Sequence, residues 1–174
     1  KMEDDLIGLR DAALLTLAYD TFARSAELVA LNVADVSQDV DGATAHIARS
    51  KGDQEGEGSF RFVAPSTYER VRMWVEAARL ELGDPLFPPL SIEAKNERIA
   101  PGDVYHIIRR RCGERYSAHS ARVGAAQDAK AAGASTGAIQ QAGGWKSDRM
   151  VSRYTEKLAA KESAAAMLAE RQGR

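Results

Sequence analysis

The chain has 174 residues, 44% hydrophobic and 28% charged, enough to bury one core, and its net charge is only −1. No run of about 18 apolar residues exists to span a membrane, the acidic start KMEDDLIG lacks a signal peptide's apolar stretch, and no repeat of roughly 20–50 residues marks a solenoid. The single cysteine, Cys112, excludes an internal disulfide, fits a reducing cytoplasm and reads as a small buried apolar residue. The near-neutral total hides an asymmetry. Residues 1–60 carry 5 Lys/Arg and 12 Asp/Glu, a balance of −7, whereas residues 61–174 carry 19 and 13, a balance of +6. Such a distribution permits a basic face beside an acidic flank.

In chain order, Leu6, Leu9, Ala13, Leu14 and Leu17 recur at helical spacing and predict a helix over 4–19, with a second over about 24–31. VADVSQDV, ATAHIARS and GSFRFVAP predict three short strands, the last two joined by the turn KGDQEGEG at 51–58, whose carboxylates disfavour phosphate. Ser66 and Glu69 have the spacing of a capping box before a helix with the stripe Val71, Trp74, Val75, Ala78 and Leu82, which makes Trp74 a core residue. A long loop over 83–101 leads to Pro101, which opens a helix ending in the densest basic patch, RRRCGER at 109–115. Helices then follow over about 119–132, stopped by Gly133, and about 136–142, stopped by Gly143. A short one capped by Ser147 precedes a final helix over roughly 159–171 with a thin stripe of Ala164, Met167 and Leu168. The class is α+β, mostly helical around one small three-stranded antiparallel sheet.

The segment GGWKSDRMVSRY at 143–154 sets Trp145 nine residues before Tyr154, and HSAR at 119–122 puts His119 and Arg122 one helical turn apart. Tyrosine, arginine and histidine are what phosphoryl transfer through a protein hydroxyl requires. Arg122 supplies one cation for the non-bridging oxygens and Arg24, in ARSAEL, a second; a planar guanidinium donates two parallel hydrogen bonds to a phosphate. Lys51, at the tip of SKGDQEGEG, is the candidate acid for a leaving oxygen. The three histidines, His46, His106 and His119, have no metal-ligand spacing, and no glycine-rich nucleotide loop occurs. The consistent reading is transfer without metal, nucleotide or other cofactor. Taken singly, Arg24 and Glu27 also read as a helix ion pair, Lys51 as a solvated turn lysine and Tyr154 as a half-buried core tyrosine.

The order ARSAEL, SKG, HSAR, GGW and Tyr154 resembles the catalytic domain of tyrosine recombinases, the phage-type integrase family, over about residues 10–170. The resemblance implies that family's DNA breaking-rejoining fold, with residues 1–174 as one catalytic domain and a core-binding domain expected N-terminal to it and absent from this chain. It implies Arg24 as the first catalytic arginine and Glu27 as the acidic residue that follows it. Lys51 would be the general acid on the β-hairpin, His119 the proton-transfer partner and Arg122 the second phosphate clamp. Trp145 stands where many members have histidine; an indole donates one hydrogen bond but transfers no proton at neutral pH, so its implied task is positioning. Tyr154 would attack the scissile phosphate and form a 3′-phosphotyrosine. The implied partners are double-stranded DNA and a homotetramer on two sites, with the last helix docking in a neighbouring protomer. Type IB topoisomerases share this chemistry, and a non-catalytic DNA-binding regulator could share the fold; the short chain and seven chemically suitable positions favour the recombinase.

Overall fold

A computed structural model describes residues 6–40, 42–48, 58–90, 96–161 and 163–173. Lys51 and the turn 51–57 therefore lie outside the described residues. The predicted α+β class is what the chain adopts: eight described α-helices around one three-stranded antiparallel sheet.

Helix α1, Leu6–Asp20, is the element around which the rest is assembled. Ala12, Ala13, Leu14, Leu17 and Ala18 are all buried, because the helix meets α3 (Pro65–Ala77) and α5 (Ala118–Ala131) as well as the sheet. The strands are β1, Val36–Asp39, β2, Gly42–Ile47, and β3, Ser59–Val63, in the order β1-β2-β3. VADV does not begin as a strand: Val33–Asp35 form a 3-10 turn, since Asp35 reaches back to accept from the Asn32 backbone N–H at 2.7 Å and holds the chain coiled. On the inner face of the sheet Ala43, Ala45, Ile47 and Val63 are buried. Arg61 lies opposite Ala45 in the register and is buried with them.

Two details of α3 differ from the sequence reading. The helix starts one residue before Ser66, with Ala64 as N-cap and Pro65 at its first turn, where a missing N–H costs nothing. Glu69 is consequently free to pair with Arg72 at 2.8 Å instead of capping. The helix also ends at Ala77, so Leu82 falls beyond it and is exposed. Trp74 is buried as expected, and its indole N–H donates to the Leu86 carbonyl at 2.8 Å. That bond explains how the irregular stretch after α3 is held: Leu86 and Phe87 are fully buried, and Arg98 donates to the carbonyls of Val29 and Leu31.

Helix α4, Pro101–Cys112, carries the basic patch, and most of that patch is committed within the fold. Arg110 and Arg111 both donate to the carboxylate of buried Asp11 in α1, at 2.7 and 2.8 Å, and Arg10 adds a third guanidinium at 3.0 Å. Burial pushes the Asp11 carboxyl up, but the hydrogen bonds from Arg111, Arg110 and Arg10 outweigh it and hold it below the ordinary carboxylate value. Cys112 is exposed, contrary to expectation: it follows Val104 and Ile108 along α4, but burial in the helix stops at Ile108 and Cys112 is its last residue.

After α5, helix α6 spans Thr136–Gly143, α7 spans Asp148–Lys161 and α8 spans Ala164–Arg171. Gly143 is the last residue of α6 and does not itself terminate it; Gly144, in the left-handed conformation at φ 57°, makes the C-cap. The helix carrying Tyr154 is longer than predicted, absorbing residues 159–161 that the sequence assigned to the final helix, and α8 begins after Ser163, whose hydroxyl caps it. No residue of α8 is buried; Met167 and Leu168 are 64% and 50% exposed. None of the described helices is long and apolar enough to cross a membrane.

Candidate active site

Two apolar clusters meet at the site. The larger joins α1 to α4 with the sheet; the smaller comprises Phe22, Ala125, Ala126, Ile139, Trp145 and Val151, with Tyr154 partly buried against it. The chain passes between them at the turn after α1. There Phe22 adopts φ 52°, a left-handed conformation costly for a side-chain-bearing residue. Its ring meets Trp145 edge-on at 6.0 Å.

Arg24 follows as the N-cap of α2, Ser25–Ala30. Glu27, buried one turn later, accepts the Arg24 backbone N–H at 2.9 Å and its guanidinium at 2.6 Å. The pair is thus an i, i+3 ion pair, as the local sequence allows, but not a surface one: the carboxylate is buried and fixes the direction of the arginine. A guanidinium left about one-third exposed on a buried anion is held in place and still presented outward.

Arg122, on α5, is 2% exposed. Its guanidinium lies 4.2 Å from the Trp145 ring centroid and donates to two backbone carbonyls, that of Phe22 and that of Gly143, the latter at 2.7 Å. Burial and the charge of Arg24 lower its pKa to about 10, with Glu27 and Tyr154 pulling the other way, so it remains a cation at neutral pH. His119, one turn earlier, is lowered from its ordinary value by burial and by the charges of Arg122 and Arg24. It therefore stands as a neutral imidazole at physiological pH, able to take a proton.

The GGW motif has a steric cause at each glycine. A Cβ on Gly143 would fall within 2.0 Å of the Trp145 ring, which folds back on the end of α6. One on Gly144 would fall 2.5 Å from the Arg61 guanidinium in a backbone conformation that already disfavours it. Tyr154 on α7 then completes an aromatic row: its ring centroid is 5.5 Å from Trp145 and 5.3 Å from His119. Gln127 donates to the Tyr154 carbonyl at 3.1 Å, tying α7 to α5.

Arg24, Glu27, His119, Arg122, Trp145 and Tyr154, chosen from the sequence, thus lie in one cluster within a single chain. Lys51 lies outside the described residues. His106 sits elsewhere, against Tyr105 on α4. Sequence reasoning missed Arg61. Alternation in SFRFV would turn Phe60 and Phe62 inward, yet they are 65% and 61% exposed and Arg61 is 2% exposed. The signal lay in the partner strand, where Ala43 and Ala45 leave the space a long side chain needs.

The chain as a whole is similar to known proteins. A family model described as the phage integrase family matches residues 1–161. The recombinase cre of Escherichia phage P1 is 30% identical over 93% of this chain and 53% of its own length. An integrase/recombinase xerD homolog of Selenomonas ruminantium is 29% identical over 88% of this chain and 49% of its own. Among solved structures, the XerH site-specific recombinase bound to its difH substrate in a pre-cleavage complex is similar in fold, with a TM-score of 0.72 at 20% identity over 92% of this chain and 47% of that one. The XerA recombinase gives 0.67 at 20% identity over 84% and 56%. The chain spans about half the length of these relatives.

Proposed function

Since the chain belongs to the phage integrase family, we propose that it is the catalytic domain of a site-specific DNA recombinase that cleaves and rejoins double-stranded DNA through a 3′-phosphotyrosine at Tyr154. The observation that carries this reading is the convergence of Arg24 and Arg122 beside Tyr154, each held by a different device: a buried carboxylate for Arg24 and backbone carbonyls for Arg122.

The chemistry follows from the charges. Tyr154 Oη attacks the scissile phosphorus; its bond to phosphorus forms as the bond to the 5′ oxygen breaks. The tyrosyl proton passes to His119, whose lowered pKa makes it a base at neutral pH. Lys51 donates a proton to the departing 5′ oxygen. A phosphodiester carries one negative charge and the transition state gathers about two. Arg24, Arg61 and Arg122 against the single carboxylate of Glu27 leave a surplus of two positive charges to meet it. Trp145 packs between Arg122 and Tyr154 and holds both. Because one phosphoester replaces another, a second 5′-hydroxyl can reverse the step without a nucleotide or metal.

The same reading has the complete protein acting as a homotetramer on two DNA sites, with α8 docking in a neighbouring protomer. The apolar exposure of Met167 and Leu168 supports that docking.

The test is a nicked duplex that loses its short 5′-hydroxyl fragment and traps the cleaved state. The full-length protein should form a covalent 3′ adduct, and Tyr154→Phe should form none while binding the same DNA. An adduct that survives Tyr154→Phe would reassign the nucleophile. For Lys51, a substrate with sulfur at the 5′ bridging position leaves without a proton, so Lys51→Ala should regain cleavage on it; continued failure would reassign the acid.

A further inference from the structure

The two buried arginines that face the site make the same connection twice. Arg122 donates to the carbonyls of Phe22 and Gly143. Arg61 donates from Nη1 to the carbonyls of Thr21 at 2.9 Å and Ala142 at 3.0 Å, one residue earlier in each segment. Two guanidinium groups therefore bridge, rung beside rung, the turn that leads to Arg24 and the end of α6 that leads to Trp145. Arg61 also donates from Nε to Ser59 Oγ at 3.2 Å, which fixes the side chain against its own strand. Gly144 completes the fit, since any Cβ there would strike the Arg61 guanidinium.

The arrangement asks for an explanation because burying a cation among neutral carbonyls is costly. An apolar side chain opposite Ala45 would fill the inner face of the sheet without that penalty. The carbonyls that Arg61 takes belong to the turn after α1 and to the C-terminal end of α6. Those segments carry the acceptors of Arg122, so their spacing sets where the Arg122 guanidinium can sit.

We propose that Arg61 is a positioning residue of the recombination site, a second guanidinium bridge whose task is to fix the Thr21–Phe22 and Ala142–Gly143 carbonyls so that Arg122 meets the scissile phosphate. This rests on the function proposed above and adds to it a residue that touches neither substrate nor nucleophile. Because Arg61 belongs to β3, the strand that follows the segment bearing Lys51, it also ties the sheet to the two helix ends that frame the phosphate. Arg61 holds that frame with its own donors, so the N–H groups that Arg122 has beyond its two carbonyl bonds can serve the phosphate.

The experiment compares Arg61→Met and Arg61→Lys with wild type in the full-length protein, on the nicked duplex with either an ordinary scissile phosphate or a methylphosphonate, which lacks the anionic non-bridging oxygen. DNA affinity and melting temperature report folding separately from single-turnover cleavage. Arg61→Met should bind DNA like wild type and cleave the phosphate roughly 10²-fold more slowly, the scale of a misplaced reacting group. On the methylphosphonate, where the arginine clamp has no anion to hold, the deficit should largely vanish. Arg61→Lys keeps the charge but not the planar fork that reaches both carbonyls, and should show a smaller deficit, again confined to the ordinary phosphate. If the Met variant does not fold, the Lys variant alone decides, through the ratio of its deficits on the two substrates. Equal losses on both substrates, or no loss on either, overturn the proposal. A wild-type protein that forms no Tyr154-dependent adduct on any substrate removes the recombinase reading and this inference with it; a normal wild type beside unaffected Arg61 variants removes this inference alone.

Discussion

The two apolar clusters are built differently, and the site takes its properties from the difference. The larger is stabilised in the ordinary way, by Leu14, Leu17, Trp74, Phe87 and the inner face of the sheet. The smaller has six buried members, two of them alanines, and is joined to the larger at the site by arginine–carbonyl bonds as well as by the ring of Phe22. Close apolar packing supplies stability; directional bonds to backbone supply position. A reaction centre at the seam needs the second, because a phosphate clamp misplaced by about 1 Å loses most of its effect.

That contrast can be broken from either side. The largest expected effect is on the rate. Arg122→Ala should lower single-turnover cleavage by roughly 10²–10³-fold or more, since it removes both a charge donor and a bridge. Conversely, Trp74→Ala in the larger cluster should cost about 3–5 kcal/mol of stability by denaturant titration, yet leave the cleavage rate of the folded fraction close to wild type. If Trp74→Ala slows folded protein as much as Arg122→Ala, the division between packing and positioning is wrong.

Gly144→Ala should be intermediate, destabilising by about 1–2 kcal/mol and slowing cleavage, because it strains the left-handed cap and displaces Arg61. A pH profile sharpens the comparison further. His119 must be neutral to accept the tyrosyl proton, and its pKa is lowered, so cleavage should stay level from neutral pH downward past the ordinary histidine value of 6.5 before falling. A midpoint above 6.5 would exclude His119 as the base. The Asp11 carboxyl, also lowered, contributes stability that is present above its ordinary value of 3.8 and lost as pH falls through its folded pKa, so acid unfolding should set in well below the loss of activity. The smallest effect belongs to α8: Met167→Lys with Leu168→Lys should change stability of the isolated domain by no more than about 0.5 kcal/mol per site.

Much of the fold was legible because it follows local rules. Leu14 and Leu17 recur at helical spacing, Pro101 opens α4, and β2 and β3 lie where ATAHIARS and GSFRFVAP predict them. Errors occurred where a local preference met a competing partner. Asp35 coils the start of VADV, Pro65 takes the helix start from Ser66, and α7 runs on because no breaker interrupts residues 155–161. Cys112 was misread because residue type alone does not say where along α4 the packing stops.

By itself the sequence determined which chemical groups were available: a phenol, two arginines, a histidine and an indole at family-like spacing, on helices whose periodicity is written in the chain. Tertiary structure decided which side of the sheet faces the core, and so that Arg61 lies inside while Phe60 and Phe62 lie outside. It also decided that Thr21, Phe22, Ala142 and Gly143 would offer their carbonyls to two guanidinium groups. Carbonyl groups are the same at every residue, so no residue type marks the ones that matter; only the path of the folded backbone brings them within reach.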